Sequence, residues 1–575
     1  MCLTGTTGIE NEGVVVGGGG LGFSQINDDV LQNILARLPA LPFASAACVS
    51  KSWNRVCNRI LTRPKLASAL SLNPSLHGAV KEVFDKVLAE PIRPQFAIAC
   101  IGVQFSLEET HKLITEKLGR EIPIITNAAS GIIGTDARTN ELREVKWELE
   151  DGPNCEGYNM INNLNRGIVL VVGFVPGLKV AAVPLLRSKE TRVGMVDKFV
   201  MDIMHYTASV SGCTSPTGII MFGDQNIDMK PVIAKMGENH SLLYSLVYLL
   251  IFDMDCIEHF VQSIRVDKQF SYRVVDHAMP EETAIVGDAS GCFLFRSGDG
   301  SHNYNGDLYS FDAVALVFAR DREKSHGIGE TQFHVTLSTG VMPFGPQLTA
   351  QSVRVKGSEC WLSASIEGCH EILDGQDLLD DINDVMDHDE SPDLYIGVTQ
   401  HRECSIGPEK LRSATSLSFY EVLGGDNQYF VVDGVGIQPG DSFLFYHSDS
   451  ETASSSCANV FEDLEALKTG SNCKSHPDIR GVADNGVKKE VFGGFIFSCY
   501  LRGESYFGRP NVDSAPFFLN FPNVPLAGLF CTEEIGRDSP GTSTQKEVQE
   551  PHFGRCCLHV YSTVYLVMSY VPPPP

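Results

Sequence analysis

The sequence predicts a mixed α/β protein in two unequal parts: a small three-helix unit at the N-terminus and a large two-part α/β body behind it. Three observations carry this. Residues 24–66 keep a helical apolar period, whereas most later apolar runs are short and bordered by glycine, as buried strands are. Helical spacing returns between those runs, as in 108–118. Of the 575 residues, 43% are apolar and 20% charged, which is ordinary for a folded chain and enough for several domains.

Residues 1–23 are polar, contain the run Gly17–Gly20 and read as a disordered tail. Asn27 can then cap a helix whose first turn holds Asp28 and Asp29, acids that favour a helix N-terminus. Val30, Leu31, Ile34, Leu35 and Leu38 form its apolar stripe, and Pro39 and Pro42 stop it. A second short segment, Phe43 to Val49, is rich in Ala and Ser, small enough for close packing. Trp53, Val56, Cys57 and Ile60 mark a third helix, with Lys51, Arg55 and Arg59 on its other face and Pro64 behind it. So small a unit buries little surface on its own. Its many large apolar residues suit a docking module that completes its core on a partner. They equally suit a subdomain packed on its own body.

This segment resembles an F-box. The elements that carry the resemblance are Leu38-Pro39, the small-residue run Ala46-Ala47-Cys48, and Val49, Lys51 and Trp53 in the order V-x-(K/R)-x-W. The family's opening Leu-Pro is replaced by Ile26-Asn27, which loosens entry into the first helix. The resemblance implies docking to a Skp1-type adaptor, and through it to a cullin ubiquitin ligase. The residues expected to dock are Leu31, Ile34, Leu35, Leu38, Pro39, Val49 and Trp53. Some must serve the module's own core instead, Trp53 first among them.

After the F-box at 24–66, residues 67–90 read as a linker, 91–330 as a first α/β domain and 345–571 as a second. Strands are expected at 167–175, 218–223 and 313–319, and 291–298 with the polar, Gly-rich stretch that follows it reads as a hairpin. Later strands are expected at 430–435, 442–447, 491–500, 526–531 and 558–570, with a helix at 376–386. The run 242–252 is too short to span a bilayer and reads as a buried element. No 20–50-residue repeat stands out, leucine-rich repeats included.

The string 493–537 is similar to the signature of FIST domains. Its pieces are Gly493-Gly494, the strand into Cys499, Arg502-Gly503, Pro525-x-Ala527-Gly528 and Glu534-Ile535-Gly536. Upstream, 284–320 resembles the end of the N-terminal FIST half. The two halves and the F-box together match the class of FIST-containing F-box receptors, plant members included. FIST domains are thought to be small-ligand sensors.

Motifs of chemistry are scarce. The sequence holds no P-loop, GxGxxG, HExxH or GxSxG, and Gly434-x-Gly436-x-x-x-Gly440 misses the dinucleotide spacing by one residue. His552, Cys556, Cys557 and His559 cluster without a common zinc spacing, and His401-x-x-Cys404 is weaker, so no metal and no cofactor is expected. Residues 371–393 carry ten carboxylates and no Lys or Arg, a solvated face or a landing site for a basic partner. Cys499, Arg502, Glu504, Arg509 and Asp513 gather in one segment. Mixed charge there suits a zwitterion such as an amino acid, or an ion-pair network that holds a loop. Cys499 as a nucleophile would need a base brought from elsewhere in the chain.

The net charge of −26 argues against general nucleic-acid binding and against an anionic membrane surface. The seventeen cysteines contain no CxxC pair, and the N-terminus has no signal-peptide pattern; both fit a cytoplasmic or nuclear chain with reduced thiols. The leading reading is a non-catalytic substrate-recognition subunit of an SCF-type (Skp1–cullin–F-box) ubiquitin ligase. The alternative is a small-ligand, amino-acid-like sensor. A hydrolase or transferase built on Cys499 is a third.

Overall fold

Asn27 opens the first helix as expected: its side-chain oxygen accepts the Asp29 backbone N–H at 3.2 Å. The computed structural model describes residues 27–147, 165–186, 192–224, 279, 282–298, 311–366, 371–385, 393–404, 412–426, 428–469, 489–537 and 556–573. The expected tail and the 242–252 run lie outside them. Helix α1 (Asp28–Leu35) is followed by α2 (Ala40–Ala47), with Pro39 at its N-cap, and α3 (Lys51–Leu61). Pro42 is tolerated because it sits in the first turn of α2, where no intrahelical N–H bond is lost. Leu31, Leu35, Phe43, Ala46, Val56 and Cys57 form a core of their own, with Leu38, Trp53 and Ile60 packed at its edge.

This helical unit and the rest of the chain are two compact units, the first also taking in 89–91. The linker expected at 67–90 is instead folded structure. Strand Lys65–Ser71 pairs along its full length with Ile168–Phe174. Helix Leu76–Val87, capped by Ser75, buries Ala79, Val80, Val83, Phe84 and Val87. That spacing is a helical face, and its burial holds the segment in place.

The body is layered. A ten-stranded sheet runs in the order Lys65–Ser71, Ile168–Phe174, Phe96–Ile101, Ile124–Ala128, Ala284–Arg296, Gly218–Asp224, Phe311–Arg320 and Leu178–Leu186. Two further short strands, Glu534–Arg537 and Cys556–His559, join it beside Ala284–Arg296. A six-stranded sheet runs Glu330–Thr339, Ser562–Val571, Glu490–Cys499, Leu526–Cys531, Gly131–Thr135 and Leu142–Lys146. The largest core lies between the two sheets, with Phe96, Phe222, Phe295 and Phe318 from one and Phe495, Phe497, Leu529 and Val564 from the other. Helices Leu76–Val87, Leu107–Lys117 and Arg192–Ser211 cover the outer face of the first sheet. Helices Ser450–Thr469 and Ala515–Asn520 cover the second.

The two halves of the body interlock. The hairpin Gly131–Lys146 completes the second sheet against Leu526–Cys531, and Glu534–Arg537 returns to the first. A boundary near 330–345 therefore separates two stretches of sequence that share sheets. The first arm of the expected hairpin, 291–298, belongs to one continuous 13-residue strand, Ala284–Arg296, and the polar stretch behind it lies outside the described residues. The second half opens with a closed six-stranded barrel. Its order is Val341–Lys356, Glu359–Ile366, Phe430–Asp433, Arg412–Gly425, Leu394–Cys404 and Ser442–Ser448, and helix Gly375–Val385 packs Leu379 and Ile382 into its core.

Candidate functional site

The expected docking residues divide by the geometry of α1. One turn spans 3.6 residues, so Leu31 and Leu35 fall on one side and Val30 and Ile34 beside them. Leu31 and Leu35 are buried in the module's core. They are therefore core residues and not docking residues, a correction to the expectation. Leu38 and Trp53 are half-buried at the core's edge. Ile34 is 50% exposed, Val49 63%, and Pro39 is exposed. Val30 at 51% and Leu41 at 82% join this outward apolar set, and neither is among the residues the sequence marks for docking. Leu41 was legible in principle: beside Pro42 at the start of α2, it lies outside the stripe of either flanking helix. Large apolar side chains this exposed on so small a module mark a surface completed by a partner.

The second candidate, at 499–513, separates into a buried part and an exposed part. Glu504 and Arg509 are exposed, whereas Cys499, Arg502 and Asp513 are buried. Arg502 Nη2 donates to Asp513 Oδ1 at 2.6 Å and Nε to Oδ2 at 3.2 Å. Nη1 donates to the carbonyls of Tyr561 at 2.9 Å and Ser338 at 3.3 Å. Nη2 also reaches Ser338 Oγ at 3.0 Å and Cys457 Sγ at 3.4 Å. Ser498 Oγ donates to Asp513 Oδ2 at 3.0 Å, and the Tyr565 hydroxyl to the Asp513 carbonyl at 2.6 Å. The five N–H groups of the guanidinium are thus engaged within the protein. Burial works against the Arg502 charge, and Asp513 more than offsets it, holding the proton above the usual arginine range. Such a group ties the Glu330–Thr339 strand to the turns at 499–513 and 559–562. It has no donor left for the carboxylate of a zwitterion, so the five residues do not converge on one ligand.

Cys499 lies opposite Cys531 in the parallel ladder of Glu490–Cys499 and Leu526–Cys531. Burial, then the charge of Glu534, pushes its thiol well above the ordinary value. A thiol so disposed is a packed apolar group and a poor nucleophile. Two further carboxylates, Glu534 and Asp288, are buried in the same body. Glu534 is fully buried, and that burial raises its carboxyl well above the usual range. Asp288 accepts from Asn127 Nδ2 at 2.9 Å and from Ser290, and burial raises it too. Both lie in stretches that carry the FIST resemblance, Glu534 in Glu534-Ile535-Gly536 and Asp288 within 284–320, but nothing local in sequence marks them as buried acids.

Glu144 sits beside the same knot and accepts from the Ser514 N–H at 2.9 Å and the Ser514 hydroxyl at 2.6 Å. Burial first, then the Asp513 charge, pushes its carboxyl up to about 7. A carboxyl that binds its proton more tightly when folded stabilises the fold at low pH. It loses that contribution as pH rises from the ordinary value through about 7. Glu144→Gln is therefore expected to match the wild type near pH 4.5, to exceed it increasingly as pH rises to about 7, and to keep a near-constant advantage of up to about 3 kcal/mol above that. Urea midpoints measured from pH 4.5 to 8.5 check this; a difference independent of pH would contradict it.

His552 lies outside the described residues, as do the side chains of Cys556, Cys557, His401 and Cys404; His559 Nε2 meets the Gly536 carbonyl at 3.0 Å. Among the described residues no group of three or more His, Cys, Asp or Glu is placed to hold a metal ion. Nor, among them, is any helix long and apolar enough to cross a membrane.

Residues 23–63 match the F-box domain. The chain as a whole is 38% identical over 556 residues to an F-box/LRR-repeat protein of Arabidopsis thaliana, covering 95% of this chain and 93% of the relative. It belongs to the F-box protein family. The match coincides with the helices α1 to α3 and with the exposed residues Ile34, Leu41 and Val49 that they carry. The relative's name includes leucine-rich repeats, whereas the described body of this F-box protein is two facing sheets and a barrel.

Proposed function

We propose that this F-box protein is the substrate-recognition subunit of an SCF-type ubiquitin ligase. The F-box docks a Skp1-type adaptor, and the body, read as the FIST type, holds a substrate protein for ubiquitination and proteasomal degradation. Ubiquitin is transferred by the other subunits of the ligase, so this chain is a receptor and needs no catalytic residue. It works where such ligases work, in the cytoplasm or nucleus. The observation that carries the proposal is the F-box match at 23–63 on a module that leaves Val30, Ile34, Leu41 and Val49 exposed.

The test is capture of the full chain by a purified Skp1-type adaptor. The wild type is expected to be retained one to one, and Ile34→Asp to lose at least ten-fold in affinity with its helix content intact. A buried anchor lost from an interface costs about 2 kcal/mol or more, which is a factor of roughly thirty. Failure of the wild type to be captured would overturn the proposal. Unchanged capture of Ile34→Asp would remove Ile34 from the docking surface.

A further inference from the structure

Strand register places three aromatic side chains, Tyr395, Phe419 and Tyr446, and the carboxylate of Glu421 on the outside of the barrel, where Tyr561, Tyr506 and Asp393 join them. Ile396, Tyr420 and Phe445 point into its core, so their chain neighbours Tyr395, Gly397, Phe419, Glu421 and Tyr446 point outward. Tyr395 pairs with Glu421 on one side and with Tyr446 on the other, and Phe419 pairs with Gly397. Gly397 leaves the room the Tyr446 ring occupies: a Cβ there would lie 2.4 Å from that ring. Phe419 and Tyr446 meet edge to face at 5.2 Å. Tyr395 meets Tyr561 at 6.2 Å, and Tyr561 meets Tyr506 at 5.5 Å. Asp393, two residues before Tyr395, shares this face and accepts the Tyr561 hydroxyl.

Asp393 and Glu421 are both exposed, and Phe419, Tyr446 and Tyr506 are half-exposed. Among the described residues no cation or hydrogen-bond donor meets Glu421. Burial, and then the like charges of Asp393 and Asp433, push its carboxyl above its usual range. Two carboxylates that repel one another beside ring faces form a surface whose electrostatic complement is a cation. Ring faces attract a cation through their quadrupole, and carboxylates pair with it.

We propose that this face of the barrel binds a lysine- or arginine-bearing segment of the substrate protein, its cation held against Phe419 and Tyr446 and paired with Glu421 and Asp393. The inference rests on the receptor reading, for which it supplies the class of substrate. Arginine fits best, since a planar guanidinium can stack on a ring and pair with a carboxylate at once.

The probe is a fluorescent Gly-Ser peptide carrying three spaced arginines, titrated by anisotropy against the full chain in 0.15 M salt. Its partner is the same peptide with glutamates in their place. Saturable binding of the arginine peptide alone is expected. Glu421→Lys should weaken it at least ten-fold and Phe419→Leu several-fold, with urea midpoints near the wild-type value. Glu465→Lys, the same charge change on the exposed face of helix Ser450–Thr469, should leave it within two-fold. No saturable binding, or equal losses at Glu421 and Glu465, would overturn the inference. Adaptor capture, measured on the same samples, reports on the receptor reading separately.

Discussion

Replacing Arg502 by methionine is expected to lower the stability of the body by roughly 3–5 kcal/mol, the cost of leaving a buried charge without its partner. Methionine fills much of the space but returns none of the bonds. Among the described residues Asp513 would keep the Ser498 hydroxyl and the weak Cys457 thiol as side-chain donors to its carboxylate. The carbonyls of Ser338 and Tyr561 would lose the N–H groups that join the two strand ends. Asp513→Asn should also be costly, because it strands the guanidinium. The double variant should cost clearly less than the two single losses added together, since each single change exposes the other partner's desolvation. Urea denaturation at pH 7 gives all three midpoints. Arg502 held in reserve for a ligand would behave differently: its loss would barely move the ligand-free midpoint. A change below about 1 kcal/mol would therefore rule out the structural role given to it here.

That knot also marks where sequence reasoning stops. Strands at 168–174, 218–224, 311–320, 490–499 and 526–531 were legible because both faces are buried and the apolar run is continuous. Helices such as Leu107–Lys117 were legible from their period. The barrel was not legible as a barrel. Its long strand Val341–Lys356 mixes buried and exposed residues irregularly around a bulge near Phe344–Leu348, and closure is a long-range property with no local signal. Charge proximity in sequence misled in the same way. Arg502, Glu504, Arg509 and Asp513 lie within twelve residues, yet the turns between them send two inward and two to solvent. In the F-box the stripe was read correctly as apolar. Which of its members the fold consumes depends on where α3 packs, and that is tertiary information.

Gly528→Ala is expected to be as damaging as the loss of Arg502, about 3 kcal/mol or more, for a purely steric reason. Gly528 stands opposite Ile496 in the parallel ladder of the second sheet. A Cβ there would lie 1.9 Å from the Ile496 carbonyl oxygen and 2.3 Å from its Cγ2. Backbone cannot swing aside as a side chain does, so the two central strands must separate. Their neighbours Ala527 and Leu529 face the main core, while Ile496 and Phe530 face the helices, so both layers are disturbed together. The glycine pair on the partner strand answers to softer contacts. A Cβ on Gly493 would meet Leu66 of the first sheet at 2.5 Å, and one on Gly494 would meet the Phe517 ring at 2.4 Å. Adjacent residues of a strand face opposite sides, so two consecutive glycines let both layers approach the same strand closely. Leu66 and Phe517 are side chains that can shift in part, so alanine at 493 or 494 should cost less than alanine at 528. Urea midpoints for the three variants give the order directly. A Gly528→Ala midpoint within a few tenths of a kcal/mol of wild type would mean that the strands do not approach this closely. The glycines of the 493–528 string would then need an explanation other than packing.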